Sequence, residues 1–181
     1  MRKVLILIAL CILTYSESNA QVTNSSYTTQ YSEKVLQFSV TVPMNKKEVW
    51  KLFTTDEGLV KWMAPVAKID MKTGGYIKTN YDKSKSIDDN TSIKLDIINY
   101  LEYEMLTLKV NLNENFPAEA KNEDKNLQEV IQFTDAGNGN TKIISSMVGW
   151  GQGSHWDKTY SFFEKGNDWT FKELLILFQK N

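Results

Sequence analysis

The chain has 181 residues with 21 basic and 22 acidic side chains, so its formal net charge is −1. A chain of this length predicts one domain that can bury a core of its own. The near-neutral charge excludes the broad basic surface that nucleic acids and anionic lipids require, and we expect neither nucleic-acid binding nor a stable membrane anchor.

The first twenty residues have the pattern of a cleaved secretory signal. A short basic start precedes an apolar run from Val4 to Leu13, which is too short to span a bilayer, and small residues lead to a cleavage point after Ala20. Cys11 offers a lipid-anchor alternative, but the large residue before it does not fit a lipobox. We therefore predict a signal peptide over residues 1–20 and a protein that is periplasmic or secreted.

Cleavage at this point would change the chemistry that the chain can perform. It would remove the only cysteine and leave 19 basic and 21 acidic residues. Disulfides, cysteine-ligated zinc and a cysteine nucleophile are then excluded. The polar stretch at residues 21–32 shows no apolar period and predicts a flexible lead-in, which leaves residues 33–181 as the single domain.

The first regular elements are predicted as a strand and two short helices. Residues 35–42, "VLQFSVTV", alternate apolar and polar side chains, as a half-buried strand does, and Pro43 ends the alternation. Asn45 followed by Glu48 resembles a capping box and predicts a helix, and Thr55 predicts the start of a second one.

The middle of the chain is predicted to be a series of strands. The alternating segments are "AKIDMK", "YIKTNY", "SIKLDIINY", "EMLTLKV", "LQEVIQF" and "TKIISSMVGW". Gly74-Gly75 and "TDAGNGN" indicate tight turns, and residues 82–91 and 111–126 read as polar loops. Phe116 in the second loop either anchors it or covers the mouth of a cavity. No connection is long and helical enough for a crossover, so the sheet is predicted to be antiparallel.

The last segment predicts a long amphipathic helix. Trp156, Tyr160 and Phe163 follow at i, i+4 and i+7, and the same stripe resumes towards the C-terminus. Gly166 would permit a close approach to the sheet. The three glycines in "GWGQGSHW" lack the spacing of a dinucleotide or phosphate loop, so they predict a strand end and a helix start with tightly packed backbone.

Side chains with chemical potential are few. His155 lies in the first turn of the predicted helix, but a metal there would need carboxylates as all its other ligands, so we expect no metal and no cofactor. Ser145 and Ser146 are outside any nucleophile-elbow context, and Glu129 is spaced as a solvent-facing strand residue. We therefore assign no catalytic residue, although His155 as a general base stays open.

Three segments together resemble a known family: "VPMNKKEVWKLFTTDEGLVKWMAP", "KTGGYIKTNY" and "GWGQGSHWDKTYSFFEKGNDWTFKELL". In this order they are similar to homologues of the C-terminal domain of the heat-shock-protein-90 ATPase activator, within the START and pollen-allergen-like (SRPBCC) superfamily. The resemblance implies an α+β helix-grip fold, in which a curved antiparallel sheet wraps around a long C-terminal helix. Two short helices follow the first strand, and an apolar cavity lies between the sheet and the long helix.

The resemblance leaves several functions open, because members of the superfamily bind, transport or modify unrelated molecules. We favour an exported binding module that holds a small hydrophobic or amphipathic molecule, such as a lipid, in the cavity. The residues expected to line the cavity are aromatic: Trp50, Phe53, Trp62, Trp150, Trp156, Tyr160 and Phe163. One alternative is a co-chaperone-like module that binds a protein partner through an exposed apolar patch. Another is a cyclase or hydratase-type enzyme that uses a cavity carboxylate or Tyr160.

Overall fold

The computed structural model describes residues 21–179, so the predicted signal peptide with Cys11 lies outside the described part. The elements in chain order are β1 (Thr23–Asn24), β2 (Tyr27–Thr28), β3 (Lys34–Val42), α1 (Lys46–Thr54), α2 (Asp56–Trp62), β4 (Val66–Asp70), β5 (Tyr76–Asn80), β6 (Ile93–Leu101), β7 (Met105–Asn111), α3 (Ala118–Glu123), β8 (Gln128–Gly137), β9 (Asn140–Val148) and α4 (Ser154–Gln179). None of the helices between residues 21 and 179 has the length and apolar character needed to cross a bilayer.

The strands form one curved, open sheet. Its order is β1-β3-β9-β8-β7-β6-β5-β4, with β2 also paired to β3. Every pairing is antiparallel. The helix α4 packs against β3 and α2, and its buried residues join the core on the inner face of the sheet. The α+β helix-grip fold expected from the sequence is therefore confirmed.

The helix pair after β3 begins as its sequence predicts. The Asn45 side chain accepts a hydrogen bond from the backbone N–H of Glu48 at 3.1 Å. The Thr55 hydroxyl accepts one from the backbone N–H of Gly58 at 3.0 Å. Each cap satisfies an N–H that has no partner within its own helix, and so fixes where α1 and α2 start.

The polar lead-in contributes to the edge of the sheet. In β1, Thr23 and Asn24 pair with Ser39 and Phe38. The neighbouring strand β2 pairs with the start of β3. Residues 21–32 are thus partly strand, which their polar sequence did not indicate, because an exposed edge strand needs no apolar period.

The charged loop at residues 111–126 contains α3, which the sequence did not predict. Pro117 precedes this helix without a side-chain cap, so the usual start signal is absent. Phe116 is only 5% exposed, and its ring stacks on that of Phe163 with centroids 5.2 Å apart. Phe116 therefore anchors the loop to α4.

The glycines before α4 permit close packing, as predicted. Gly149 has a φ of +83°, and a side chain there would come within 2.0 Å of the Asn126 carbonyl oxygen. A Cβ atom on Gly151 would lie 2.1 Å from the indole nitrogen of Trp156. The segment "GWGQGSHW" is therefore shaped by backbone and ring packing.

Candidate functional site

A cavity of about 410 Å³ lies between the inner face of the sheet and the middle of α4. Strands β5 to β8 supply one wall, and α1, α2 and α4 supply the other. Its apolar lining includes Ile93, Leu95, Val110, Ile131, Phe163 and Phe171. Such a volume is within the range of about 300–1,000 Å³ that is typical of small-molecule sites.

Three of the aromatic residues expected in the cavity line it: Phe53, Trp62 and Phe163. Trp62 is held in place because its indole N–H donates to the carbonyl oxygen of Leu52 at 2.9 Å. Its ring lies 4.6 Å from that of Phe53, measured between centroids. The helices α1 and α2 thus form one end of the site.

The other four expected residues lie outside the lining: Trp50, Trp150, Trp156 and Tyr160. The Trp50 ring packs on Phe133, with centroids 5.4 Å apart. Trp150 and Tyr160 pack on each other at 4.9 Å. Trp156 is 3% exposed and donates from its indole N–H to Glu123. The apolar stripe correctly predicted which side of α4 faces inward. The cavity begins only near Phe163, however, and the period of a helix does not indicate where along its length a cavity lies.

Aromatic side chains that the sequence analysis did not select form the rim of the cavity. Tyr81, Phe162 and Trp169 border the cavity and remain 46%, 45% and 47% exposed. The Tyr81 and Trp169 rings meet edge to face, with centroids 5.9 Å apart. Exposed aromatic rings at the rim give an apolar molecule a surface to contact as it enters.

Gly166 also borders the cavity and has a different role from the one predicted. A Cβ atom at this position would have no other atom within 4 Å. The residue therefore faces open space in the cavity wall, whereas the sequence suggested a close approach to the sheet.

The predicted solvent-facing position of Glu129 is wrong, because the residue lines the cavity. In β8 it pairs with Leu108 on one side and Met147 on the other. The Ser145 hydroxyl donates a hydrogen bond to its Oε1 atom at 2.6 Å. Glu129 is half-buried, and its carboxyl group lies largely within the protein, beside the cavity. This burial raises the pKa of Glu129, and the Ser145 hydrogen bond opposes the rise only in part.

The pattern of β8 contained a signal for this placement. Leu127, Glu129, Ile131 and Phe133 fall at alternate positions, and the other three side chains are buried. Successive strand residues point to opposite faces, so the same period that placed the apolar residues inward also placed Glu129 inward. The polarity of Glu129 alone suggests a solvent-facing side chain, whereas the period of the strand gives its correct face.

Tyr81 combines an exposed ring with a buried hydroxyl group. Burial raises the pKa of Tyr81, a hydrogen bond with Thr170 opposes the rise, and the charge of Glu129 adds to it. Tyr81 and Glu129 both border the same cavity. Lys165 also borders the cavity, as an exposed residue of α4.

His155 belongs to a separate cluster where α3 meets the start of α4. The Glu123 Oε2 atom is bonded to the His155 Nε2 atom at 2.8 Å and accepts from the Trp156 indole at 2.9 Å. These two hydrogen bonds lower the pKa of Glu123. Across residues 21–179, no group of three or more His, Cys, Asp or Glu side chains is arranged to hold a metal ion. The cluster joins α3 to α4, and in it His155 is hydrogen-bonded to Glu123.

A curved antiparallel sheet that grips a long C-terminal helix around an apolar cavity defines a START-like protein. Residues 43–178 match the family described as "Activator of Hsp90 ATPase homolog 1-like protein", and the chain belongs to this family. No curated protein matches the chain in sequence.

Solved structures share this fold at low sequence identity. CalU16 from Micromonospora echinospora is 13% identical with a TM-score of 0.60, covering 89% of this chain and 87% of its own. The Aha1 dimer from Colwellia psychrerythraea is 14% identical with a TM-score of 0.57, covering 80% and 92%. PFC0360w, an HSP90 activator from Plasmodium falciparum, is 13% identical with a TM-score of 0.56, covering 79% and 95%. Likeness at this level of identity concerns the fold alone.

Proposed function

We propose that the protein is an exported binding protein that holds a small hydrophobic or amphipathic molecule in the cavity beneath α4. The observation that carries this proposal is the cavity itself, whose volume is about 410 Å³ and whose lining is mostly aromatic and aliphatic. An apolar molecule that enters this cavity would bury its own surface against the lining, which the hydrophobic effect favours.

The proposal of export rests on the signal-like residues 1–20. A periplasmic or secreted protein would not meet the cytosolic, ATP-dependent partner that the family name implies. The Plasmodium falciparum relative is described as an HSP90 activator, but fold likeness does not transfer a partner. The co-chaperone-like alternative is therefore the weaker one for this chain.

One observation favours an enzyme as a second candidate function. Glu129 places a carboxyl group in the cavity with a raised pKa, and such groups act as general acids or bases in many enzymes. A cyclase or hydratase-type reaction would use this carboxyl to move a proton. Chemical conversion of a bound molecule, lost in Glu129→Gln, would identify this function.

Native mass spectrometry of the purified protein tests the binding function. We expect a co-purifying molecule, or failing that a tight complex with a compound from a screen of small apolar molecules. Gly166→Leu would fill the open space at the cavity wall and should abolish the complex. Ala118→Leu makes a comparable addition at an exposed site and should not. Equal binding by the wild type and Gly166→Leu would place the ligand elsewhere and contradict the proposal.

A further inference from the structure

The carboxyl group of Glu129 presents one oxygen atom to the cavity. Its Oε1 atom accepts the Ser145 hydroxyl at 2.6 Å, whereas Oε2 has no hydrogen-bond partner within residues 21–179. In that same part of the chain, every fully buried polar side-chain atom has a partner. The Oε2 atom therefore keeps some accessible surface, and the space that Glu129 borders is the cavity.

The surroundings of Glu129 favour its neutral form. Its strand neighbours Leu108 and Met147 are almost fully buried and carry no charge. The other titratable groups along the cavity are Tyr81 and Lys165, and neither forms an ion pair with Glu129. Burial accordingly raises the pKa of Glu129. Because Ser145 already donates to Oε1, the proton of the neutral acid belongs on Oε2, directed at the cavity.

We propose that Glu129 selects ligands with a neutral oxygen group, a hydroxyl or a carbonyl, at the end that lies against its carboxyl group. A hydrocarbon end would take Oε2 out of contact with water without offering a hydrogen bond, which is unfavourable. A carboxylate end would bring a second acid against Glu129 in an apolar site. An ammonium end would have to give up its hydration and would require the ionised form of Glu129, which burial disfavours, so the ion pair offsets little of that cost. A neutral oxygen accepts the Oε2 proton and avoids all three costs.

The reversed orientation of an acidic ligand is disfavoured for the same reason. A carboxylate at the rim could reach Lys165, which is exposed, and an exposed ion pair contributes little. The hydrocarbon end of that ligand would then lie against Glu129 and leave Oε2 without a partner. The inference thus rests on the proposed binding function and specifies the chemical class of the ligand.

Calorimetric titration of four compounds with similar hydrocarbon chains tests this inference: decanol, methyl octyl ketone, decanoate and decylamine. We expect the alcohol and the ketone to bind the wild type about tenfold or more tightly than the other two, as one well-placed hydrogen bond allows. Glu129→Leu should weaken alcohol and ketone binding by about tenfold and remove the preference. The exposed control Glu119→Gln should leave all four affinities unchanged.

The pH dependence of ketone binding provides a readout that lost packing would not change. A ketone only accepts hydrogen bonds, so its affinity should fall as pH rises through the pKa of Glu129 and the carboxyl loses its proton. The alcohol can also donate, so its affinity should change less. Glu129→Gln keeps an N–H donor at this position and should bind the ketone independently of pH.

The outcomes separate the inference from the function on which it rests. If none of the four compounds binds and the protein carries no molecule after purification, the binding function itself fails. If they bind but decanoate or decylamine equals decanol, the selection by Glu129 is wrong and the binding function stands. An unchanged order of affinities in Glu129→Leu would also overturn the inference.

Discussion

Glu129 brings a carboxyl group to the apolar inner face of the sheet, where it borders the cavity. The period-two pattern of β8 and β9 places Glu129 and Ser145 on the apolar face, where they bond to each other. That period is enough to predict which face of the sheet each residue occupies. The partner across the strands and the open space beside Oε2 depend on register and on the position of α4, which local pattern does not report.

Glu129 should make stability depend on pH, because burial raises its pKa in the folded state. Its contribution to stability is fully present below the ordinary pKa of a glutamate and is lost as pH rises through the raised pKa. Glu129→Gln cannot ionise, so it should gain stability relative to the wild type over that window, by about 1.4 kcal/mol per pH unit.

Denaturant unfolding at several pH values from about 4 to 8 measures this difference. Glu119→Gln, at an exposed site on α3, should follow the wild type at every pH. If Glu129→Gln also follows the wild type throughout, the carboxyl is hydrated in the folded protein and its assignment to the cavity is wrong.

Two tyrosines allow the cavity boundary to be tested with one chemical change. Tyr160 packs on Trp150 outside the lining, whereas Tyr81 borders the cavity and its hydroxyl is buried. Tyr160→Phe should leave the affinity for decanol unchanged. Tyr81→Phe should alter it severalfold, because it removes a hydroxyl from the cavity. Calorimetric titration compares both variants, and the reverse ranking would move the site towards the start of α4.

At the level of elements, apolar periodicity predicted the strands from β3 to β9 and the helix α4, and cap residues predicted α1 and α2. It missed α3, whose buried side is limited to Ala120 and whose position depends on Phe116 packing against α4. Tertiary contacts rather than local propensity stabilise so short a helix. It also missed β1 and β2, because two-residue edge strands carry no period.

The segment before α4 should tolerate little added volume. A side chain on Gly151 would overlap the Trp156 indole, which is buried and bonded to Glu123. Gly151→Ala should therefore destabilise the protein by about 1–3 kcal/mol, as overpacking of a core typically does. Its exposed neighbour Gln152→Ala is the control and should cost much less. An unchanged denaturation midpoint in Gly151→Ala would show that the ring is free to move.

At the level of the whole molecule, the mature protein is predicted to be shorter than the 181-residue chain. We expect export with cleavage after Ala20, so that the mature chain begins at Gln21. Intact-mass measurement and N-terminal sequencing of the exported protein would determine the terminus. A mature chain that starts at Cys11 and carries lipid would replace this prediction with a membrane-anchored form.

The residue at position 166 affects both the stability of α4 and the size of the ligand that the cavity can bind. A glycine inside a helix is less favourable than alanine by about 1 kcal/mol, and nothing in the structure obstructs a methyl group at this position. Gly166→Ala should therefore strengthen α4 while it takes space from the cavity. In a homologous series of alcohols, the longest member that fits should become shorter by about one carbon, since protein interiors leave few voids of that size. Selection for a larger ligand would then maintain the glycine at the expense of a more stable helix.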